Sequence, residues 1–99
     1  MLASGPIDTG LLDRHLTLNP QVALHPEPFG ALAYHYGNRR LIFLKHPDVV
    51  RVVTVLGDHA TVADALRACD IAESRWPSFV DALESLVRSE LLREPAFAG

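Results

Sequence analysis

What the chain lacks narrows it first. A single cysteine, Cys69, leaves no partner for an internal disulfide, which fits a reducing compartment. Basic residues are few: nine Lys and Arg against twelve Asp and Glu give a formal charge of −3. Phosphate binding draws most of its affinity from clustered Lys and Arg, so this balance argues against a nucleic-acid partner. No run of apolar residues reaches the length of a membrane span. The first six residues, Met1 to Pro6, lack the basic start and long apolar stretch of a secretion signal, and a cytoplasmic location is the expectation. The six glycines do not cluster into a phosphate loop, and no Gly-x-Ser-x-Gly elbow accompanies the serines. Internal repeats and low-complexity stretches are absent.

Chemistry-bearing side chains are present but scattered. His15, His25, His35, His46 and His59 form no i, i+4 pair on a helix and have no Cys-x-x-Cys partner, so their spacing does not read as a zinc site. Cys69 falls on the apolar side of its helix without an adjacent basic residue, the setting of an inert thiol. Asp81, Glu84 and Glu90 read as a solvated helix face. Nothing assembles an active site, and a non-enzyme without a cofactor is the expectation.

What is there is a folded domain. Ninety-nine residues at 48% hydrophobic make one domain with a shared core. Residues 1–14, with Gly5, Pro6 and Gly10, read as a flexible arm. Leu16, Leu18, Val22 and Leu24 alternate around Asn19-Pro20, which suggests an extended segment and then a strand at 21–25. Pro26 and Pro28 force a corner. The stretch 29–47 then reads as a β-hairpin, with Gly37-Asn38 as a two-residue type II′ turn. That turn pairs Tyr34 with Leu41, Ala33 with Ile42, Leu32 with Phe43 and Ala31 with Leu44. Both faces of the second arm are then apolar, whereas a small antiparallel sheet usually shows water one face.

Three helices follow. Pro47 and Asp48 suit a first turn, and Val49, Val52, Val53 and Leu56 share a face up to Gly57. Thr61 to Asp64 is a weak capping box opening a helix to about Cys69. Pro77 opens the last helix, whose apolar stripe of Phe79, Val80, Leu83, Leu86, Val87 and Leu91 runs to near Glu94. Glu84 and Arg88 have the spacing of an exposed ion pair.

Two function classes survive. An open strand edge beside an apolar groove could take a guest peptide by strand addition, with Arg39, Arg40 and Lys45 favouring an acidic one. The alternative is a small winged-helix DNA-binding transcription factor, for which the last helix offers only Arg88 and Arg93 among acidic neighbours. An apolar edge could also seam two copies, so a monomer or a weak homodimer is expected.

The run Leu18-Asn19-Pro20-Gln21-Val22-Ala23-Leu24-His25-Pro26-Glu27-Pro28-Phe29-Gly30-Ala31-Leu32-Ala33-Tyr34, with the later Arg39-Arg40-Leu41-Ile42-Phe43-Leu44, resembles the mycofactocin peptide chaperones of the MftB family. These belong to the RiPP recognition elements and are similar to the PqqD protein of pyrroloquinoline quinone biosynthesis. The resemblance extends from Leu16 to Leu92 and is strongest at the Pro-Glu-Pro-Phe-Gly corner and the hairpin. It implies an α+β fold, a three-stranded antiparallel sheet packed on a three-helix winged-helix-like bundle, without catalytic activity. Residues 15–94 would form the PqqD-like recognition element, between the arm at 1–14 and a frayed tail at 95–99.

The implied partners are a ribosomally made precursor peptide and a radical SAM maturase that modifies the peptide's C-terminal Val-Tyr; the iron–sulfur and SAM chemistry would belong to that enzyme. The leader would pair antiparallel with Arg40, Leu41, Ile42, Phe43, Leu44 and Lys45. Its other wall would be the last helix, through Val80, Leu83, Glu84, Val87, Arg88 and Leu91.

Overall fold

The computed structural model describes residues 7–95. Chain order is α1 (Ile7–Leu12), β1 (Thr17–Leu18), β2 (Val22–Glu27), β3 (Gly30–His35), β4 (Leu41–Leu44), α2 (Pro47–Val55), α3 (Val62–Ala68), α4 (Trp76–Arg88) and β5 (Leu92–Arg93). The fold is α+β, with a three-stranded antiparallel sheet in the order β2-β3-β4 and four α-helices. A second, two-stranded sheet pairs β1 with β5, Thr17 opposite Arg93 and Leu18 opposite Leu92.

Where an arm is expected, residues 7–12 form a helix, and Leu11 is buried in the core. The rest of the expected arm, residues 1–6, and most of the expected tail, residues 96–99, lie outside the described residues.

The hairpin register is the expected one, Ala31 opposite Leu44, Leu32 opposite Phe43, Ala33 opposite Ile42 and Tyr34 opposite Leu41. Its turn is not. Residues 36–39 form a four-residue loop in which the Arg39 N–H donates to the His35 carbonyl and Arg39, at φ 64°, takes the left-handed position. No described glycine has a positive φ, so Gly37 does not serve a type II′ turn. His35 organises the loop instead. Its ring is buried, and Nδ1 accepts from the backbone N–H groups of Gly37 and Asn38 at 3.0 and 3.1 Å.

The other hairpin turns at Pro28-Phe29, with Glu27 opposite Gly30 and β2 running on through Pro26. Gly30 is required for space, because a Cβ there would overlap the carbonyl oxygen of Leu44 on β4.

Strand alternation turns Val22, Ala31, Ala33, His35 and Leu44 inward, and all five are buried. They pack on the helical half, where Val52 and Val53 of α2, Val62 and Leu66 of α3, and Phe79, Val80 and Leu83 of α4 meet in one core. Pro47 lies in the first turn of α2 with Asp48 beside it. Thr61 caps α3, its hydroxyl accepting from the Asp64 N–H at 3.1 Å.

The last helix ends six residues short of Glu94, at Arg88. Glu90 takes the left-handed conformation at φ 68°. The Leu91 N–H donates to the Leu86 carbonyl at 2.9 Å and the Glu90 N–H to the Val87 carbonyl at 3.0 Å. This is a Schellman cap with Glu where Gly is usual. The same cap, with Asp70 at φ 59°, closes α3.

Candidate functional site

Among the described residues the sheet has two open edges, and they differ. On β2, Pro26 interrupts the row of backbone donors. Strand β4 has no proline, and it borders a groove. The His35 N–H donates to the Arg40 carbonyl at 2.9 Å. Antiparallel alternation from that point turns the backbone groups of Ile42 and Leu44 toward β3 and those of Leu41 and Phe43 toward the open edge. Four backbone groups thus stand ready to pair with an added strand.

The groove lies between β4, the start of α2 and one face of α4. Ile42, Leu44, Val49, Ala82 and Leu86 supply its apolar lining, with Phe43, Lys45, His46 and Ser85 at its border, around a volume of about 270 Å³. It continues through His46, Val49 and Ala82 into a second hollow of about 330 Å³ that ends at Arg75, Ser78 and Phe79. At that end the Arg75 guanidinium is 3.1 Å from Asp48 and lies over the Phe79 ring at 5.2 Å. Lys45 borders the groove without a carboxylate partner among the described residues, whereas Arg75 is engaged with Asp48.

The structure brings the expected strand residues to one place and sorts them by face. Ile42 and Leu44 turn inward, Ile42 half-buried at the groove and Leu44 within the core. Leu41 and Phe43 turn outward and are exposed. Arg40 is exposed just before β4, and Lys45, exposed, borders the groove.

The expected helix residues do not form the groove wall. Val80 and Leu83 point into the core and are fully buried, because the widest apolar stripe of a helix is spent on its own domain. Leu91 is buried beyond the end of α4, on the far side of the Schellman cap. Val87 borders a different hollow, with Arg14, Asn19, Glu90, Leu92, Arg93 and Glu94. Glu84 and Arg88, two and six residues after Ala82, fall on the side of α4 away from the groove and form no ion pair among the described residues.

The wall is built instead from Ser78, Ala82 and Ser85, with Phe79 and Leu86 at its margin. Small residues at i, i+4 and i+7 are a legible signal. They leave room for a chain to lie against the helix.

No three His, Cys, Asp or Glu side chains come together as a metal site among the described residues. No described helix is long and apolar enough to cross a membrane.

Comparison with known proteins bears on this edge and groove. The peptide chaperone MftB family model matches residues 15–93. The chain belongs to the peptide chaperone MftB family. The MftB peptide chaperone of Mycolicibacterium smegmatis is 48% identical over 75 residues, covering 76% of this chain and 74% of that protein. The Mycobacterium ulcerans MftB is 45% identical over 80 residues, and the Mycobacterium tuberculosis MftB 41% over 80, each match covering 81% of this chain and 73% of the relative. No solved structure matches the chain significantly. The MftB match begins after α1 and ends with β5, so it takes in the whole sheet, the groove and the β1–β5 pair.

Proposed function

We propose that this chain is a non-catalytic peptide chaperone of mycofactocin biosynthesis, acting in the cytoplasm. It binds the leader of a ribosomally made precursor peptide by strand addition at β4 and delivers it to a radical SAM maturase. One observation carries this reading: the free backbone groups of Leu41 and Phe43 lie directly beside an apolar groove. The names of its relatives, peptide chaperones all, support the peptide as guest.

Magnitudes say how the guest must be held. Four backbone hydrogen bonds contribute about 1 kcal/mol each. Ordering the guest costs about 2–5 kcal/mol, so the ladder alone leaves little net affinity. Apolar anchors in the groove must supply the rest. Fully burying one leucine-sized side chain contributes about 1.5–3 kcal/mol, so two of them against Ile42, Val49, Ala82 and Leu86 outweigh what the ladder leaves after the guest is ordered. Lys45, which holds no carboxylate among the described residues, favours a guest with a carboxylate beside those anchors.

Substituting Ala82 by Trp tests this. Ala82 is half-buried at the groove and clear of the core, so the indole fills the hollow and leaves the fold intact. Affinity for the precursor peptide falls at least about tenfold by calorimetry, a loss of about 1.4 kcal/mol. Backbone amide signals of residues 41–45 and 78–86 shift on peptide addition to the unsubstituted protein. Unchanged affinity in Ala82→Trp, with shifts confined to β2 or α3, would refute strand addition at β4.

No observation favours the DNA-binding alternative. Asp48 and Asp64 occupy Arg51, Arg67 and Arg75, and α4 exposes Asp81 alongside Arg88.

A further inference from the structure

Two polar side chains are buried among the described residues, Asn19 and His35, and they meet each other. Buried polar groups are paired as a rule, and this pair is only half satisfied. The His35 ring turns one nitrogen to the hairpin loop and the other to Asn19. Nδ1 accepts from the N–H groups of Gly37 and Asn38, so it carries no proton. The ring proton is then on Nε2, which lies 3.3 Å from Asn19 Nδ2.

The Asn19 amide cannot turn to receive that proton. Its Oδ1 accepts from the Gln21 N–H at 2.9 Å and its Nδ2 donates to the Glu90 carbonyl at 3.0 Å. A flipped amide would set donor against donor and acceptor against acceptor. Nε2–H thus faces another donor. With the proton on Nδ1 instead, Nε2 accepts from Asn19, but an N–H then confronts those of Gly37 and Asn38. The ring satisfies the loop or Asn19, never both.

The pair also joins the two walls of the groove. On one side the His35 N–H donates to the Arg40 carbonyl at the head of β4. On the other, the Asn19 N–H donates to the Leu91 carbonyl at 2.8 Å, and the Leu91 N–H donates to the carbonyl of Leu86, a groove residue. A continuous chain of contacts therefore runs from β4 through His35, Asn19 and the cap of α4 to Leu86.

We propose that His35 and Asn19 form a two-state latch, and that its closed state is the one that takes a guest strand. Closed, the ring proton is on Nε2 and the 36–39 loop is bonded to Nδ1. Open, the proton is on Nδ1, Nε2 accepts from Asn19, and the loop is released. The ring's charge does not change: one proton leaves Nε2 to water as another reaches Nδ1 from water. The latch stands on the hydrogen bonds alone, whereas its bearing on the guest rests on the peptide reading above. Releasing the loop frees Arg40 and loosens the edge groups of Leu41 beside it. A guest that needs those groups favours the closed state and, through Asn19, tightens the cap of α4.

Long-range NMR correlations on the full chain with 15N-labelled histidine report which ring nitrogen carries the proton. The expected result is a proton on Nε2 of His35; a proton on Nδ1 in the unsubstituted protein would overturn the proposal. Gly37→Ala then opens the latch from an exposed position, since a Cβ there would lie 2.8 Å from Cε1 of His35. The Leu91 amide should exchange with solvent at least about tenfold faster in this variant, while Val53 and Leu66 of the core helices keep their rates. An unchanged Leu91 rate would overturn the proposal, as would an equal rise at all three.

A saturating synthetic precursor peptide separates the two readings. It should slow exchange at Gly37, Asn38 and Leu91 together with the edge amides of Leu41 and Phe43. Slowing at Leu41 and Phe43 alone would overturn the proposal and leave strand addition standing. Unprotected Leu41 and Phe43 would refute strand addition, and the latch would then stand on the ring proton and the Leu91 rate.

Discussion

Leu83 of α4 and Leu41 of β4 are the same residue in opposite circumstances: the first is 0% exposed, the second 61%. Their contrast extends to the two halves of the molecule. In the helical half the large apolar side chains are inside, and Arg51, Arg67 and Arg75 are engaged with carboxylates. In the sheet Leu41, Phe43, Phe29 and Tyr36 face water, and Arg39, Arg40 and Lys45 hold no carboxylate among the described residues. A domain of this size needs only one face of its sheet to close a core. The second face is therefore free to carry surface whose purpose is not stability, and the helices act as the platform that keeps it rigid.

The largest effect that can sharpen this contrast lies where the two arms of the hairpin nearly touch. Gly30→Ala drives a methyl into the Leu44 carbonyl and parts β3 from β4. It should cost about 3–5 kcal/mol in urea denaturation, and peptide affinity should vanish with the edge. A pair of leucine substitutions tests the contrast directly. Leu83→Ala should destabilise by about 2–5 kcal/mol, whereas Leu41→Thr should change stability by less than about 0.5 kcal/mol in the same titration. Equal losses at the two positions would break the comparison. The smallest effect is a gain: Glu90→Gly relieves the left-handed conformation at the end of α4 and should raise stability by about 0.5 kcal/mol, read as a higher urea midpoint at constant m.

Much of this fold was legible in the sequence, and the failures have local causes. The hairpin register survived a wrong turn type because a four-residue loop centred on Gly37-Asn38 leaves the same residues opposite one another. Helices α2 and α3 announced their starts with Pro47 and with Thr61 as cap. The end of α4 was silent, since its Schellman cap uses Glu90, and an apolar pattern continuing through Leu91 and Leu92 looked helical. Residues 7–12 gave no signal because Gly10 lies inside the helix they form.

Around the proposed groove, Ile42, Phe43, Leu44 and Lys45, expected from the doubly apolar strand pattern, are present, while the expected helix residues Val80 and Leu83 lie in the core. Val80 and Leu83 cannot both fill the core and line a groove. The helix side of the groove is lined by Ser78, Ala82 and Ser85, small residues that add nothing to an apolar stripe.

The pairing of β1 with β5 places Thr17 across from Arg93, and the Arg14 guanidinium reaches Glu94 at 2.9 Å. Residues 14–18 and 92–94 therefore meet at one corner. A tether attached after residue 95 starts from this corner, so a precursor peptide or an enzyme fused there has a span to β4 that the clasp fixes. Effective concentration depends on that span and the linker rather than on the order of the parts. The same clasp makes the domain a candidate for circular permutation, with new termini opened in the 36–39 loop and the old ones joined by a short linker. It also sets a rule for synthesis. The domain cannot close until residues 92 and 93 have left the ribosome, so the β1–β5 lock is set only after the sheet and helices between its strands have been made.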